Sequence, residues 1–143
     1  MKIMIASDHA GYELKEKLKT CFSENIDFED YGTHSAESVD YPDYVHPLAA
    51  LLSEYPDKRG IIICGTGNGV AMTANKHPNV RAALCWEKEI AELARKHNDA
   101  NILALPARFI SFEKALEITD AFLNTSFEGG RHQRRIEKIN LHS

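Results

Sequence analysis

The sequence has no long apolar run, few cysteines and no excess of positive charge. No apolar stretch in its 143 residues approaches the length of a membrane-spanning helix, and its N-terminus lacks the long apolar core of a secretory signal. The net charge of -4 gives no general attraction to nucleic acid or to an acidic membrane. These absences predict a cytoplasmic protein that binds neither nucleic acid nor membrane.

The three cysteines, Cys21, Cys64 and Cys85, are widely spaced and form no C-x-x-C pair. This pattern disfavours a disulfide framework, a cysteine zinc site and a redox motif. Cys21 is expected on the apolar face of a helix with Leu14 and Leu18, and Cys85 at the end of an apolar strand. No other residues show metal-ligand spacing, so the sequence predicts no metal and no cofactor.

What the sequence does contain is a regular alternation of strand and helix patterns. Its length and 43% hydrophobic content fit one domain over residues 1–143. The predicted strands are 2–7, 28–31, the run that ends at Cys64, 81–85 and 101–105, and the predicted helices are 12–23, 43–54, one after Gly69, 87–97, 111–123 and one from about Arg131. This alternation predicts an α/β protein in which helices cover both faces of a five-stranded parallel sheet of order 2-1-3-4-5.

In such a sheet, ligands bind beyond the carboxyl ends of the strands, where the strand order reverses. With the predicted order, that crevice lies between the first and third strands. Asp8 and His9 follow the first strand, and Cys64 ends the third. Asp8 and His9 also suit a turn and a helix cap, so the sequence leaves a structural and a functional interpretation open for them.

The segment around Cys64 is the most informative part of the chain. A β-branched strand leads into the thiol, and Gly65, Gly67 and Gly69 follow at alternate positions, which allows the backbone to approach a ligand with its N–H groups exposed. The loop lacks the dinucleotide and P-loop fingerprints, and Val70 stands where a cysteine phosphatase needs an arginine. The pattern favours a thiol whose loop amides stabilise a thiolate or an oxyanion over a cysteine that only packs.

Histidine and arginine residues near two predicted helix ends have competing interpretations. His97 closes an apolar helix face, where a histidine interacts favourably with the helix C-terminus. Arg131 and Arg135 are four residues apart on the last predicted helix, so they face the same side and can clamp a phosphate. The alternative is a solvated helix whose arginines pair with neighbouring glutamates.

Five motifs in order resemble those of the ribose-5-phosphate isomerase B family, which includes galactose-6-phosphate and related sugar-phosphate isomerases. They are residues 7–11 (SDHAG), 40–42 (DYP), 64–67 (CGTG) with 74–76 (ANK), 97–101 (HNDAN) and 128–133 (EGGRHQ). The resemblance covers nearly the whole chain. It implies a Rossmann-like α/β/α fold, a homodimer able to pair further into a tetramer, and metal-free aldose–ketose isomerisation of a phosphorylated sugar.

The resemblance also implies roles for individual residues. Cys64 is implied as the base that moves a proton from C2 to C1 through an enediolate, assisted by Thr66, and His97 as the acid of a preceding ring-opening step, with Asp8 accepting the hydroxyl proton. The implied substrate-binding residues are His9, Tyr41, Gly65, Gly67, Asn68, Gly69, Val70, Asn98, Arg108, Arg131 and Arg135. In the family, His97, Asn98 and Arg108 are thought to reach a site that the other subunit completes.

The leading expectation is the interconversion of ribose 5-phosphate and ribulose 5-phosphate. The same chemistry on galactose 6-phosphate, allose 6-phosphate or a tetrose phosphate stays open, because sequence spacing does not measure the distance from Cys64 to the arginines. A binding module without turnover is the third alternative. Such a module needs only the phosphate ligands, whereas this chain also carries Cys64, Thr66, His97 and Asp8.

Overall fold

Strands and helices alternate along the chain, which the computed structural model describes for residues 1–141. The strands are β1 (Lys2–Ser7), β2 (Asp27–Asp30), β3 (Arg59–Cys64), β4 (Ala82–Leu84) and β5 (Ile102–Pro106). The helices are α1 (Tyr12–Cys21), α2 (Tyr41–Glu54), α3 (Asn68–Ala74), α4 (Lys88–Asn98), α5 (Phe112–Asn124) and α6 (Arg131–Glu137). The predicted elements are therefore confirmed in type and order, and only their ends differ by a residue or two.

Local sequence explains these elements, as α5 illustrates. Ser111 precedes the helix with extended backbone, and its side-chain oxygen accepts a hydrogen bond from the backbone N–H of Lys114 at 3.1 Å. Ala115, Ile118 and Phe122 follow at helical spacing and are fully buried. The cap and the apolar stripe together fix where this helix begins and which face it packs on the sheet.

The five strands form one parallel sheet of order β2-β1-β3-β5-β4. The predicted order 2-1-3-4-5 is thus wrong in its last two positions. The reason lies in the strands, because β5 is buried along its whole length and suits an interior position, whereas the short β4 is only partly buried and suits an edge. Asn75 covers that edge, since its side-chain amide donates to the Ala82 carbonyl and accepts from the Ala82 N–H.

Helices cover both faces of the sheet, so the predicted three-layer α/β/α fold is confirmed. One face packs against α2 and α3, with Met4, Leu48 and Ile62 in its core. The other packs against α1, α4 and α5, with Ile5, Leu105 and Phe122 in its core. Because the chain steps back from β4 to β5, the right-handed crossover places α4 on the same face as α1. Among residues 1–141, no helix has the length and apolarity to span a membrane.

The cysteines do not all lie where the sequence predicted. Cys21 is exposed, although Leu18 on the same helix is fully buried; the prediction for Cys21 is wrong because this residue ends α1, beyond the part that packs on the sheet. Cys85 directly follows β4 and is buried, and this burial raises the pKa of its thiol to about 12. Cys85 therefore behaves as a small apolar residue.

An ion-pair group joins α1 to the end of β2. The Lys15 side chain is fully buried, and its Nζ lies 2.5 Å from Asp30 and 3.0 Å from Glu16. Lys19 also contacts Asp30, at 2.8 Å. Burial by itself raises the pKa of Asp30, but hydrogen bonds from Lys15, Lys19 and the Gly32 amide outweigh it, so the pKa is lowered overall.

Candidate functional site

A cleft of about 450 Å³ opens at the carboxyl edge of the sheet, between the ends of β1 and β3. The strand order reverses at this point, which is where parallel α/β sheets bind ligands. The cleft is lined by Asp8, His9, Ala10, Ser38, Val39, Asp40, Tyr41, Cys64, Gly65, Thr66, Gly69 and Arg108. A larger hollow of about 640 Å³ lies beside α1 and carries the exposed Cys21, but its walls are mostly apolar and offer no comparable set of convergent polar groups.

Cys64 lies at the floor of this cleft. It ends β3, only 5% of its surface is exposed, and its Sγ accepts a hydrogen bond from the Gly67 N–H at 3.2 Å. Gly67 has a φ of 76°, and a Cβ at that position would lie 2.4 Å from Leu84 Cδ1. Glycine is therefore required for the turn that aims an amide at the sulfur. The sulfur is thereby held at a fixed position facing the loop amides.

The glycine loop after Cys64, residues 65–70, presents mainly backbone groups to the cleft. Thr66 is exposed, and its Oγ1 accepts a hydrogen bond from the Asn68 N–H at 3.2 Å. Gly65 and Gly69 line the cleft, whereas Asn68 does not and the side chain of Val70 is fully buried. Of the predicted loop residues, Val70 can therefore contribute only its backbone amide.

Asp8 and His9 hold the opposite wall of the cleft. Asp8 Oδ1 accepts a hydrogen bond from the Gly11 N–H at 3.0 Å, so Asp8 has the turn role that the sequence allowed and also faces the cleft. His9 Nδ1 accepts from the Val39 N–H at 3.2 Å. This contact places the proton of a neutral His9 ring on Nε2, which makes Nε2 a hydrogen-bond donor.

Tyr41 and Arg108 close the cleft from α2 and from the loop after β5. A Cβ on Gly69 would lie 2.4 Å from Tyr41 Cζ, so the tyrosine ring covers the bare backbone of the loop. The Arg108 N–H donates to the Gly65 carbonyl at 3.0 Å, and the Arg108 side chain lies against Gly65. Arg108 thus belongs to the cleft of its own chain. Within one chain Arg108 lies apart from His97 and Asn98, because β5 ends beside β3 at the carboxyl edge; the implied site that the other subunit completes stays a prediction.

His97 and Asn98 lie at the opposite edge of the sheet. They end α4, which runs back from the carboxyl edge to the amino edge as a crossover helix must. Ile102 begins β5 at that edge and pairs with Gly60, four residues before Cys64, which corresponds to roughly 13 Å along the strand. No side chain bridges that distance, so the structure does not bring His97 to the Cys64 of its own chain.

Arg131 and Arg135 also lie at the amino edge. They are on α6, which packs beside the end of α4, where the Glu128 N–H donates to the Lys96 carbonyl at 3.1 Å. Both arginines are exposed, and within residues 1–141 neither forms an ion pair with an acidic side chain. Within the described residues, the neighbouring glutamates therefore do not pair with Arg131 or Arg135.

Glu128 and His132, which are not among the predicted site residues, lie beside His97 at the amino edge of the sheet. The rings of His97 and His132 stack with centroids 4.3 Å apart. Glu128 Oε1 lies 3.7 Å from His97 Nε2 and 3.9 Å from His132 Nε2. Burial, and then the charges of His97 and the α6 arginines, lower the pKa of His132 against the opposing effect of Glu128. Only the fold reveals this group, because His97 is distant in sequence from the other two.

Comparison with known proteins shows similarity over almost the whole chain. A family model described as Ribose/Galactose Isomerase matches residues 3–139. The ribose-5-phosphate isomerase B of Escherichia coli (strain K12) is 42% identical over 139 residues, which cover 96% of this chain and 93% of that protein.

Solved structures give the same result. The crystal structure of a ribose 5-phosphate isomerase from Thermotoga maritima has a TM-score of 0.93 at 52% identity and covers 97% of both chains. The crystal structure of ribose-5-phosphate isomerase B from Mycoplasma genitalium with bound ribulose 5-phosphate has a TM-score of 0.92 at 44% identity and covers 96% of this chain and 93% of that one.

Proposed function

Because the chain belongs to the ribose/galactose isomerase family, we infer that it interconverts ribose 5-phosphate and ribulose 5-phosphate. The predicted family and the predicted class of enzyme, an isomerase of a phosphorylated sugar, are confirmed by these relatives. The single observation that carries the chemistry is the Cys64 thiol, held by the Gly67 amide on the floor of the carboxyl-edge cleft.

Cys64 is proposed as the base of the isomerisation. Its sulfur takes the proton from C2 of the open-chain aldose and returns it at C1, so one group serves as base and then as acid. The intermediate is an enediolate, whose negative oxygens need hydrogen-bond donors. The amides of the glycine loop from Gly65 to Val70 are proposed as those donors, and Thr66 assists proton movement near O1 and O2.

The substrate phosphate is proposed to bind between cations from both edges of the sheet. His9 offers its Nε2 donor and Arg108 its guanidinium within the cleft. Arg131 and Arg135 carry exposed positive charge, four residues apart on α6. A guanidinium forms paired hydrogen bonds with phosphate oxygens, which suits all three arginines for this role.

A ring-opening step precedes isomerisation, and its groups come from two subunits in this proposal. His97 is the acid and Asp8 accepts the hydroxyl proton, while Tyr41 and Asn98 orient the sugar hydroxyls. Since His97 and Asn98 lie across the sheet from Cys64 of their own chain, they act in the cleft of a partner subunit. We therefore propose a cytoplasmic homodimer with shared sites, in which an isolated monomer is inactive.

The test is an assay of ribose 5-phosphate conversion by the wild type and by Cys64→Ser, with galactose 6-phosphate, allose 6-phosphate and a tetrose phosphate in parallel. Cys21→Ser is the matched control, because it removes an exposed thiol outside the cleft. We expect turnover of ribose 5-phosphate that is lost only in Cys64→Ser. Preferred turnover of another sugar would change the substrate, and binding without any turnover would favour the binding module.

A further inference from the structure

The group at the amino edge formed by His97, Glu128 and His132 has the composition of a metal site. The three side chains come from the end of α4, the segment between α5 and α6, and the first turn of α6. One ligand atom from each lies within 4.8 Å of the others. Two imidazole nitrogens and one carboxylate oxygen are a ligand set that zinc uses with three protein ligands and one open position.

The observed distances need little change to hold such an ion. Zinc binds nitrogen and oxygen ligands at about 2.0–2.2 Å, which places neighbouring ligands of a tetrahedron roughly 3.3 Å apart. Glu128 Oε1 lies 3.7 Å and 3.9 Å from the two Nε2 atoms. Glu128 therefore needs to close on each histidine by about half an ångström, and the two imidazoles, whose ligand nitrogens lie within 4.8 Å of each other, need to turn from their stacked arrangement toward one ion.

The backbone around the three ligands is tied down on both sides. The Glu128 N–H donates to the Lys96 carbonyl at 3.1 Å, which fixes the glutamate segment to the last turn of α4. Arg95 is buried and joins the same elements, because it donates to the Thr125 carbonyl at 3.1 Å and to the Ala100 carbonyl at 2.7 Å. A group held in this way loses little conformational freedom when it binds an ion.

We propose that His97, Glu128 and His132 bind a divalent transition metal of the zinc class, and that this ion inhibits the isomerase by capturing His97. Magnesium and calcium are not expected to bind, since they prefer several oxygen ligands and this group offers one carboxylate. Binding of the ion does not depend on the proposed function. Inhibition does, because it requires His97 to be the acid of ring opening.

The binding test is calorimetric titration of the whole protein with zinc chloride. We expect one zinc ion per chain in the wild type and an affinity about tenfold or more weaker in Glu128→Gln and in His132→Phe, which keeps an aromatic ring against His97 but removes the ligand nitrogen. Cys64→Ser is the matched control and should bind zinc as the wild type does. Loss of binding in Cys64→Ser with retention in His132→Phe would overturn the proposal, because the ion would then sit on the thiol.

The inhibition test follows the isomerase rate with and without zinc, each variant being compared with its own zinc-free rate. We expect the wild type to lose activity in proportion to zinc bound and to recover it when a chelator is added, whereas His132→Phe resists the same zinc concentration. Equal inhibition of both proteins would overturn this part of the proposal. If no sugar phosphate is turned over, the proposed function fails, while the titration still decides whether the metal site exists.

Discussion

Two inactive variants are expected to restore activity when their subunits mix, if each site is shared between subunits. Cys64→Ser removes the base from its own cleft, and His97→Asn removes the acid that its chain gives to the partner. In a heterodimer of the two, one cleft contains both substitutions and the other contains neither. Random mixing of equal amounts makes half of the dimers mixed, and half of the sites in those are intact, so the expected rate is about one quarter of the wild-type rate.

The assay is the rate of ribulose 5-phosphate formation after the two variants are unfolded together in denaturant and refolded. The matched control mixes Cys64→Ser with Asp8→Asn, because Asp8 and Cys64 line the same cleft and no mixed dimer then has an intact site. Differently tagged chains show that mixed dimers have formed. Mixed Cys64→Ser and His97→Asn dimers without activity, or recovery in the control, would refute the assignment of the two residues to different subunits.

Further predictions concern binding, packing and stability. Cys64→Ala should lose isomerisation and still bind substrate, which steady-state kinetics and calorimetry measure. Arg135→Ala should raise KM by about tenfold with little change in kcat. A fall in kcat alone in Arg135→Ala would contradict its role in phosphate binding. Gly69→Ala should displace the Tyr41 ring, since the added Cβ would lie 2.4 Å from Tyr41 Cζ. Its KM should rise as it does in Tyr41→Ala, while the midpoint of urea unfolding stays at the wild-type value. Asp30→Asn should lower the free energy of unfolding by about 3 kcal/mol, because it strips the fully buried Lys15 of its closest partner. The control Lys15→Met should cost less, because it removes the buried charge and leaves Asp30 paired with Lys19 at 2.8 Å. The pKa of Asp30 is lowered in the folded protein. Its contribution to the free energy of unfolding is therefore complete above the unfolded pKa and is lost as pH falls below about 4. Urea unfolding should show that Asp30→Asn loses less stability in acid than the wild type does.

Much of the fold follows from periodicity in the sequence. The alternation of β-branched runs with helical spacing is a local signal, and it sufficed for the type and order of the elements and for the layers. The place of the cleft followed as well, because it depends only on β1 and β3 being neighbours and on the residues that end them. Asp8, His9 and Cys64 meet there for that reason.

The order of β4 and β5 is not a local property. Both strands are short and apolar, and what separates them is that β5 is buried on both faces while β4 is covered at its edge by Asn75. The exposed position of Cys21 has a similar origin, since apolar spacing does not tell where a helix leaves the sheet. The group of His97, Glu128 and His132 was missed because His97 is distant in sequence from Glu128 and His132, and the three side chains meet only through the packing of α6 on α4.

The distribution of charge between the two edges supports a site made from both. Arg131 begins α6, where the helix dipole disfavours positive charge, and the described residues offer neither Arg131 nor Arg135 an acidic partner. Within the cleft, His9 and Arg108 are the groups proposed to bind the doubly negative phosphate. In the proposed homodimer, a phosphate held between one subunit's cleft and the α6 of its partner would contact the cations of both edges. In that dimer the bound substrate would stabilise the contact between subunits, since a ligand that binds only the assembled state favours that state.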